Sequence, residues 1–402
     1  MIAPVTSTVD PKVVGAQLQA ARREMGLTQE QAGEKLSMAR TTVIAIEKGE
    51  RKVSGEELVR FAALYGKKMA EIVKVPVTLD DFTPQFRISE RSDDTENAAA
   101  IAAKELSRLA KAYMELEALT GQPLLRRYPA PYPLDALKIS MEQAAENCAS
   151  QERNRLGAGD GPLPDLRSRL ENDVGLRIFA YPMKGRLAGV FGYTEAMGGC
   201  IAINSGHPRD RRRWSLAHEY GHFMSTRYDV DYDALGSRGR SNAEKFADAF
   251  AKHFLMPSSG LNRLASEIQM RNGQLTLADV CALAERFEVS LQAMVLRLEE
   301  LKRIKSGTWE SLIARGFKAK KVKEFLGIAK EECVEDKFPV IYRNLAVMAY
   351  QAQKITEGQF AEYLGVTRAE GRVIYQKAME MLTSEEKEGF GVFDADLKEV
   401  LS

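Results

Sequence analysis

Apolar positions recur at helical spacing along most of this chain, and strand-like runs are confined to one stretch near its middle. From residue 12 to 75 the pattern predicts five short helices. "VVGAQLQAARREMG" sets Val14, Leu18, Ala21 and Met25 on one face and ends at Gly26. "TQEQAGEKL" begins at Thr28, a capping residue with Glu30 and Gln31 just inside the helix. A turn at Ser37–Met38 leads into "ARTTVIAIEKG", which stops at Gly49. "SGEELVRFAALYG" opens with Ser54 and Glu57 at capping-box spacing, and "KKMAEIV" closes the unit. Pro76 and Pro84 bracket a non-periodic connector, after which residues 95–120 read as one long helix ended by Gly121.

The proline break "YPAPYP" separates that helix from a mixed region. Helices are expected over "LDALKISMEQAAENCASQERNRLG" and "DLRSRLENDVG", and strands at "LRIFAYP", "LAGVFGY" and "GCIAIN". A helix containing "SLAHEYGHFM" follows, then a Gly/Asp/Tyr-rich loop at 228–240, then a helix from Asn242 to Met256 stopped by Pro257. "LTLADVCALAERFEVSLQAMVLRLEEL" reads as two helices joined at Glu288–Ser290, with Ser290 capping the second. Residues 301–402 are again helical, and "ITEGQFAEYLGVTRAEGRVIYQKAM" repeats the helix–Gly–Thr–helix form. The fold expected is mainly α with a small β-sheet, an α+β arrangement. Its parts are a five-helix unit at 1–76, a connector and long helix at 77–121, and a mixed unit at 122–260. A helix-turn-helix-like subdomain at 261–300 and a C-terminal helical region at 301–402 complete it.

Composition narrows the role. A chain of 402 residues has room for two or three domains, and 28% charged with 45% hydrophobic residues is ordinary for a globular protein. Net charge is +1, so any nucleic-acid contact must come from a local patch. "MIAPVTSTVD" lacks the basic and apolar regions of a signal peptide, and no apolar run approaches the roughly 18 residues of a membrane helix. Cys148, Cys200, Cys281 and Cys333 are far apart and read as reduced, buried thiols. The expectation is a cytoplasmic protein with no membrane contact.

"SLAHEYGHFM" carries the chemistry. Positions i and i+4 lie one turn apart on one helical face, so His218 and His222 can present both imidazoles to one ion. Catalytic zinc takes three protein ligands and keeps a fourth position for water. Glu219 sits where its carboxylate reaches that water, whose pKa zinc lowers towards 7. The bland alternative is a core helix with incidental histidines. Leu216, Tyr220 and Phe223 make the helix largely buried, and buried histidines with a buried glutamate are costly unless paired or metal-bound. Glu244 on the next helix suits the third ligand, and Asp248 one turn on suits the acceptor that orients a ligating histidine. A helix-start glutamate favoured by the dipole is the alternative for Glu244. His253 is a rival ligand, and His207 a loop histidine that could assist the transition state. Tyr228 or Tyr232 could donate to an oxyanion. Manganese could also occupy a His₂Glu site.

Residues 28–47 have the form of a helix-turn-helix, whose second helix enters the major groove. Val43 and Ile46 face the core, while Arg40, Thr41 and Thr42 project outward towards base edges or phosphate. Gln29, at a helix start, could position against a phosphate. A helical module for protein contact is the alternative. In "HPRDRRRW" the arginines are expected to pair with carboxylates such as Asp229, Asp231 and Asp233, rather than to sense an anion. "ARGFKAKKVKEF", 314–325, reads as a solvated basic face.

"RDRRRWSLAHEYGHFM" followed by "NAEKFADAFAKHFLMP", with "GCIAIN" before it, resembles the ImmA/IrrE family of zinc metallopeptidases over about 120–300. The resemblance implies His218, His222 and Glu244 as zinc ligands and Glu219 as the catalytic residue. It departs from many members at Thr226, where they carry a further histidine. "LTQEQAGEKL…TTVIAIEKGERKVS" resembles a Xre/Cro-type DNA-binding domain over about 14–73. Its departure is Ala39, where a capping serine is usual. Together these resemblances imply a regulator that binds a double-stranded operator, as a homodimer. They further imply a zinc endopeptidase that cuts a Xre-type repressor, a partner or itself. The trigger would be stress, DNA damage or a mobile element, with single-stranded DNA or another activator. The alternatives are a transcription factor that uses the peptidase fold only as a sensor, and an antitoxin-like binder.

Overall fold

The computed structural model describes residues 11–67, 93–134, 139–185, 187–227, 242–317 and 335–387. Most of "KKMAEIV", the Pro76–Pro84 connector, Tyr228, Tyr232, the three loop aspartates, Cys333 and most of 314–325 lie outside them. The chain divides into two compact units, residues 1–80 and 81–402.

The first unit packs α1 (Pro11–Glu24), α2 (Gln29–Leu36), α3 (Arg40–Glu47) and α4 (Gly55–Tyr65). Leu18, Leu36, Ile46, Phe61 and Tyr65 form its core. Capping boxes at Thr28–Gln31 and Ser54–Glu57 start α2 and α4, satisfying backbone N–H groups that have no partner inside a helix. Met25 departs from expectation: α1 ends at Glu24, so Met25 leaves the apolar face and is 52% exposed. Ala39 starts α3 without any side-chain cap.

The second unit begins with α5 (Asp93–Thr120), a 28-residue helix that buries Leu106, Leu109, Tyr113 and Leu116. Next comes α6 (Met141–Arg155), capped by the Ser140 hydroxyl; it starts later than the apolar pattern suggested because the cap fixes its origin. A short helix, α7 (Leu166–Arg169), runs into a π-helical turn at Leu170–Val174. Three strands follow, β1 (Arg177–Tyr181), β2 (Gly189–Thr194) and β3 (Gly198–Asn204). Their order is β1-β3-β2, with β1 parallel and β2 antiparallel to the central β3. The seven residues of β3 are all buried, as a strand covered on both faces must be.

Helix α8 (Arg209–Thr226) packs on β2 and β3, and α9 (Asn242–Leu255) packs on α8 and α6. Tyr220, Phe223, Phe246, Phe250 and Phe254 are fully buried between these layers. Each aromatic contributes on the order of 1.5–3 kcal/mol by leaving water. Helices α10 (Ser258–Asn272), α11 (Leu277–Phe287), α12 (Leu291–Glu300) and α13 (Thr308–Ala314) continue the chain. Ser290 caps α12 as expected. The last helices are α14 (Val340–Gln351), α15 (Glu357–Leu364) and α16 (Arg368–Lys387). The architecture is mainly α with one small sheet. Cys148, Cys200 and Cys281 are buried. Among the described residues no helix is long and apolar enough to cross a membrane.

Candidate metal centre

Two glycines let the elements around the "HEYGH" helix approach closely. A Cβ on Gly221 would lie 2.9 Å from Ala247 Cα, so only a bare residue lets α8 and α9 cross at this distance. That crossing carries Glu244, in the first turn of α9, over the histidine face of α8. On the sheet side, a Cβ on Gly189 would lie 2.9 Å from Glu219 Oε1 and 3.0 Å from its Cγ. β2 therefore leaves a glycine-sized recess for the Glu219 side chain.

The Nε2 atoms of His218 and His222 are 3.1 Å apart. Glu244 reaches both, Oε2 at 3.5 Å from His218 Nε2 and Oε1 at 3.3 Å from His222 Nε2. These donor atoms all lie within 4.8 Å of one another. A tetrahedral zinc ion with bonds of 2.0–2.1 Å places its ligand atoms about 3.3 Å apart, so two imidazoles and a carboxylate at this spacing fit it. The other nitrogen of His218, Nδ1, is 2.9 Å from Asp248 Oδ1. Donation there fixes the tautomer that aims Nε2 at the cluster.

Electrostatics agree with a site built for a cation. Burial pushes the His218 pKa down, but its bonds to Asp248 and Glu244 outweigh this and raise it to about 10. Burial pushes Glu244 up, but both histidines outweigh it and hold the carboxyl well below the usual carboxylate range. Burial raises Glu219 to about 7; His218 opposes the rise and Glu244 adds to it. A carboxyl near 7 is matched to proton transfer at neutral pH. His222 is 2% exposed and His218 16%, so the cluster is closed on one side and reachable on the other. A cleft of about 530 Å³ adjoins Asp248, lined by Trp214, Glu142, Lys245 and Lys252 among others.

The remaining histidines are elsewhere. His253 Nε2 meets Glu142 Oε1 at 2.6 Å, and its Nδ1 accepts from Arg297 Nη2 at 3.0 Å. It ties α9 to α6 and α12 instead of joining the cluster. His207 stands in the turn before α8, outside the three-residue group. Three arginines of the run meet carboxylates, while the expected partners Asp229, Asp231 and Asp233 lie outside the described residues. Arg209 and Arg213 meet Glu288 at 2.5 and 3.0 Å, and Arg212 meets Glu335 at 3.3 Å. Sequence reasoning overlooked Gly189, Gly221 and Ala247. The signal for the last was present, since Ala243, Ala247 and Ala251 repeat every fourth residue of α9. It also overlooked Glu152, whose Oε1 accepts from the Tyr220 hydroxyl at 2.5 Å and anchors the middle of α8 to α6.

In the first unit, Arg40 and Thr41 are exposed at the start of α3, and Thr42 is half-buried. Val43 and Ile46 are fully buried, which turns those three residues away from the core. Gln29 donates through its amide to Glu47 Oε2 at 2.8 Å. Glu47 also takes Arg22 at 2.6 and 3.0 Å, a buried clamp from α1 to α3. Arg22 therefore belongs to the core and adds nothing to a basic surface.

Comparison with known proteins matches these parts separately. Residues 171–299 match the family model of the IrrE N-terminal-like domain, of the peptidase M78 type. Residues 18–72 match the helix-turn-helix family. No curated protein matches the chain. Among solved structures, PlcR of Bacillus thuringiensis in complex with the peptide PapR7 and DNA is 11% identical, covering 94% of this chain and 98% of that one, at a TM-score of 0.17. ComR from Streptococcus suis is also 11% identical, covering 94% and 91%, at 0.15. The PrgX/iCF10 complex is 15% identical, covering 92% and 96%, at 0.15. TM-scores this low do not establish a shared fold. The chain joins a Xre-type helix-turn-helix domain to a metallopeptidase-family domain of the IrrE type.

Proposed function

We propose that this protein is a DNA-binding regulator whose second unit is a zinc-dependent endopeptidase that cuts a Xre-type repressor. The observation that carries the reading is the convergence of His218, His222 and Glu244, with the Glu219 carboxyl buried beside them. His218, His222 and Glu244 would hold zinc, and Asp248 would orient His218. Bound zinc would polarise a peptide carbonyl and make a water acidic near neutral pH. Glu219 takes the proton from the attacking water and returns it to the leaving amine. Gly189 keeps the space in which that carboxylate sits.

Arg40, Thr41 and Thr42 would face duplex DNA, with Gln29 holding the start of α2 near the phosphates. A DNA-facing role places the protein in the cytoplasm, and operator binding of this type is expected of a homodimer. The repressor is the substrate class because the chain carries a reading head of the same kind, which would bring both proteins to one operator.

The test is metal analysis joined to one cleavage assay. Wild type and Glu219→Gln are each mixed with the Xre-type repressors of the same genome, with and without single-stranded DNA, and products are read by mass. About one zinc per chain in both, with a fragment made by wild type alone, supports the proposal. Absence of metal, or equal fragments from both proteins, overturns it. Zinc without cleavage under every condition favours a sensor that never cuts.

A further inference from the structure

Residues 356–375 repeat the local structure of residues 28–47. Thr28 and Thr356 each cap an eight-residue helix, and Gln31 and Gln359 close the two capping boxes. The helices end at Ser37 and Gly365, both left-handed. The turns share their hydrogen bonds. Met38 N to Gly33 O, 2.8 Å, corresponds to Val366 N to Ala361 O, 3.0 Å. Val43 N to Ala39 O corresponds to Gly371 N to Thr367 O. Burial agrees as well: Ala32, Gly33, Leu36 and Val43 are buried, and so are Phe360, Ala361, Leu364 and Gly371. Thr28, Gln31, Glu34, Leu36, Arg40 and Ile46 recur as Thr356, Gln359, Glu362, Leu364, Arg368 and Ile374.

From this register we infer that residues 356–377 form a second helix-turn-helix head that binds duplex DNA through the first three turns of α16. The N-terminal copy matches a helix-turn-helix family, so the form is one that reads DNA. The face is open. Arg368, Ala369, Arg372, Val373, Gln376 and Lys377 are all exposed. The opposite face is anchored, since Tyr375 lies 4.9 Å from Tyr350 and 6.3 Å from Phe360 between ring centroids. Charge on the open face is only slightly positive: Arg368, Arg372 and Lys377 stand against Glu357 and Glu370, a net of +1. The Glu370 carboxylate stays charged while accepting from the Thr367 N–H and hydroxyl, and Glu357 is paired with Arg372. That exposed pair is worth little in water, so Arg372 can turn to a phosphate. Val373 suits a thymine methyl.

Two internal comparisons favour the assignment. α11 and α12 share the same turn, with Glu288 left-handed and Ser290 capping. There, however, Leu291, Met294, Val295, Arg297 and Leu298 of the second helix are buried, and its exposed residues, Gln292, Leu296 and Glu300, include no basic side chain. In the C-terminal copy the second helix is outward and is also capped, Thr367 supplying the hydroxyl that Ala39 lacks.

The experiment uses the full chain and a pool of random-sequence duplexes. Binding is measured by fluorescence anisotropy across a salt series, and the protected length by footprinting selected duplexes. Arg368→Ala with Arg372→Ala should lower the salt slope by about two, one for each phosphate contact, and shorten the footprint. Arg368→Lys with Arg372→Lys keeps the charge and should keep the slope. Circular dichroism of each variant confirms that the helices remain. An unchanged slope and footprint in the folded alanine variant overturn the proposal. So does an alanine variant that binds DNA as wild type does but loses a protein partner, which would make the face a protein-docking surface. Loss of slope in both the alanine and lysine variants would mark the arginines as structural and overturn it too.

Discussion

At the scale of single residues, the candidate centre depends as much on side chains that are missing as on those that do chemistry. Gly189→Ala would push a methyl group to 2.9 Å from Glu219 Oε1, with Ala202 O only 3.2 Å away on the other side. The carboxylate must then move, because the strand backbone cannot. Cleavage should fall by at least about tenfold, since small misplacements of a catalytic group are costly, while zinc content stays at the wild-type level. Elemental analysis beside the cleavage assay separates the two effects. Asp248→Asn should act on the metal instead. It keeps the shape but removes the charge on His218 Nδ1, and affinity should drop 10–100-fold in a chelator competition. The residues of this site were readable from sequence to different depths. His218, His222 and Glu219 follow from helical periodicity alone, which is local. Glu244 and Asp248 follow only because the next helix offers two carboxylates one turn apart. Gly189 lies on a strand thirty residues before Glu219. Nothing in a one-dimensional pattern says that this strand would pass the acid.

At the scale of elements, helix starts were the most readable feature. Thr28, Ser54 and Ser290, the caps read from sequence, and Thr276 and Thr356, which were not, all accept through their hydroxyls from a backbone N–H three residues on, an interaction complete within four residues of sequence. α3 lacks such a cap, and it yields a prediction. Ala39→Ser supplies the missing hydroxyl and should stabilise the first unit by about 1 kcal/mol in a denaturant titration. Thr367→Ala should cost about the same in the second unit, with the Glu370 carboxylate released at the same time. Unequal effects of opposite sign would show that the two copies, though built in register, carry different strain. Long-range pairing was far less readable. That arginines in the first turns of α8 would be paired follows from the cost of leaving Arg212 and Arg213 buried and alone. Which carboxylates they meet does not, since Glu288 and Glu335 are distant in sequence and fixed only by the packing of later helices.

At the scale of the molecule, each unit has its own core, so each should unfold with its own cooperative transition. The metal should stabilise only one of them. An ion held by His218, His222 and Glu244 binds the folded second unit and not its unfolded chain. At a free concentration of 100 times its dissociation constant, such a ligand adds about 2.7 kcal/mol to the folded state. Removing it has a second consequence within the same group. His218 and Glu244 are left to pair as cation and carboxylate, which offsets part of the loss without restoring it. Differential scanning calorimetry should therefore resolve two transitions, and a chelator should lower the one belonging to residues 81–402. Ala39→Ser should raise the other and leave the chelator response intact. His218→Ala should bring the second transition to its chelated position and abolish any further response. A chelator that moved both transitions equally, or neither, would contradict an ion held at this site, whatever the cleavage assay returned.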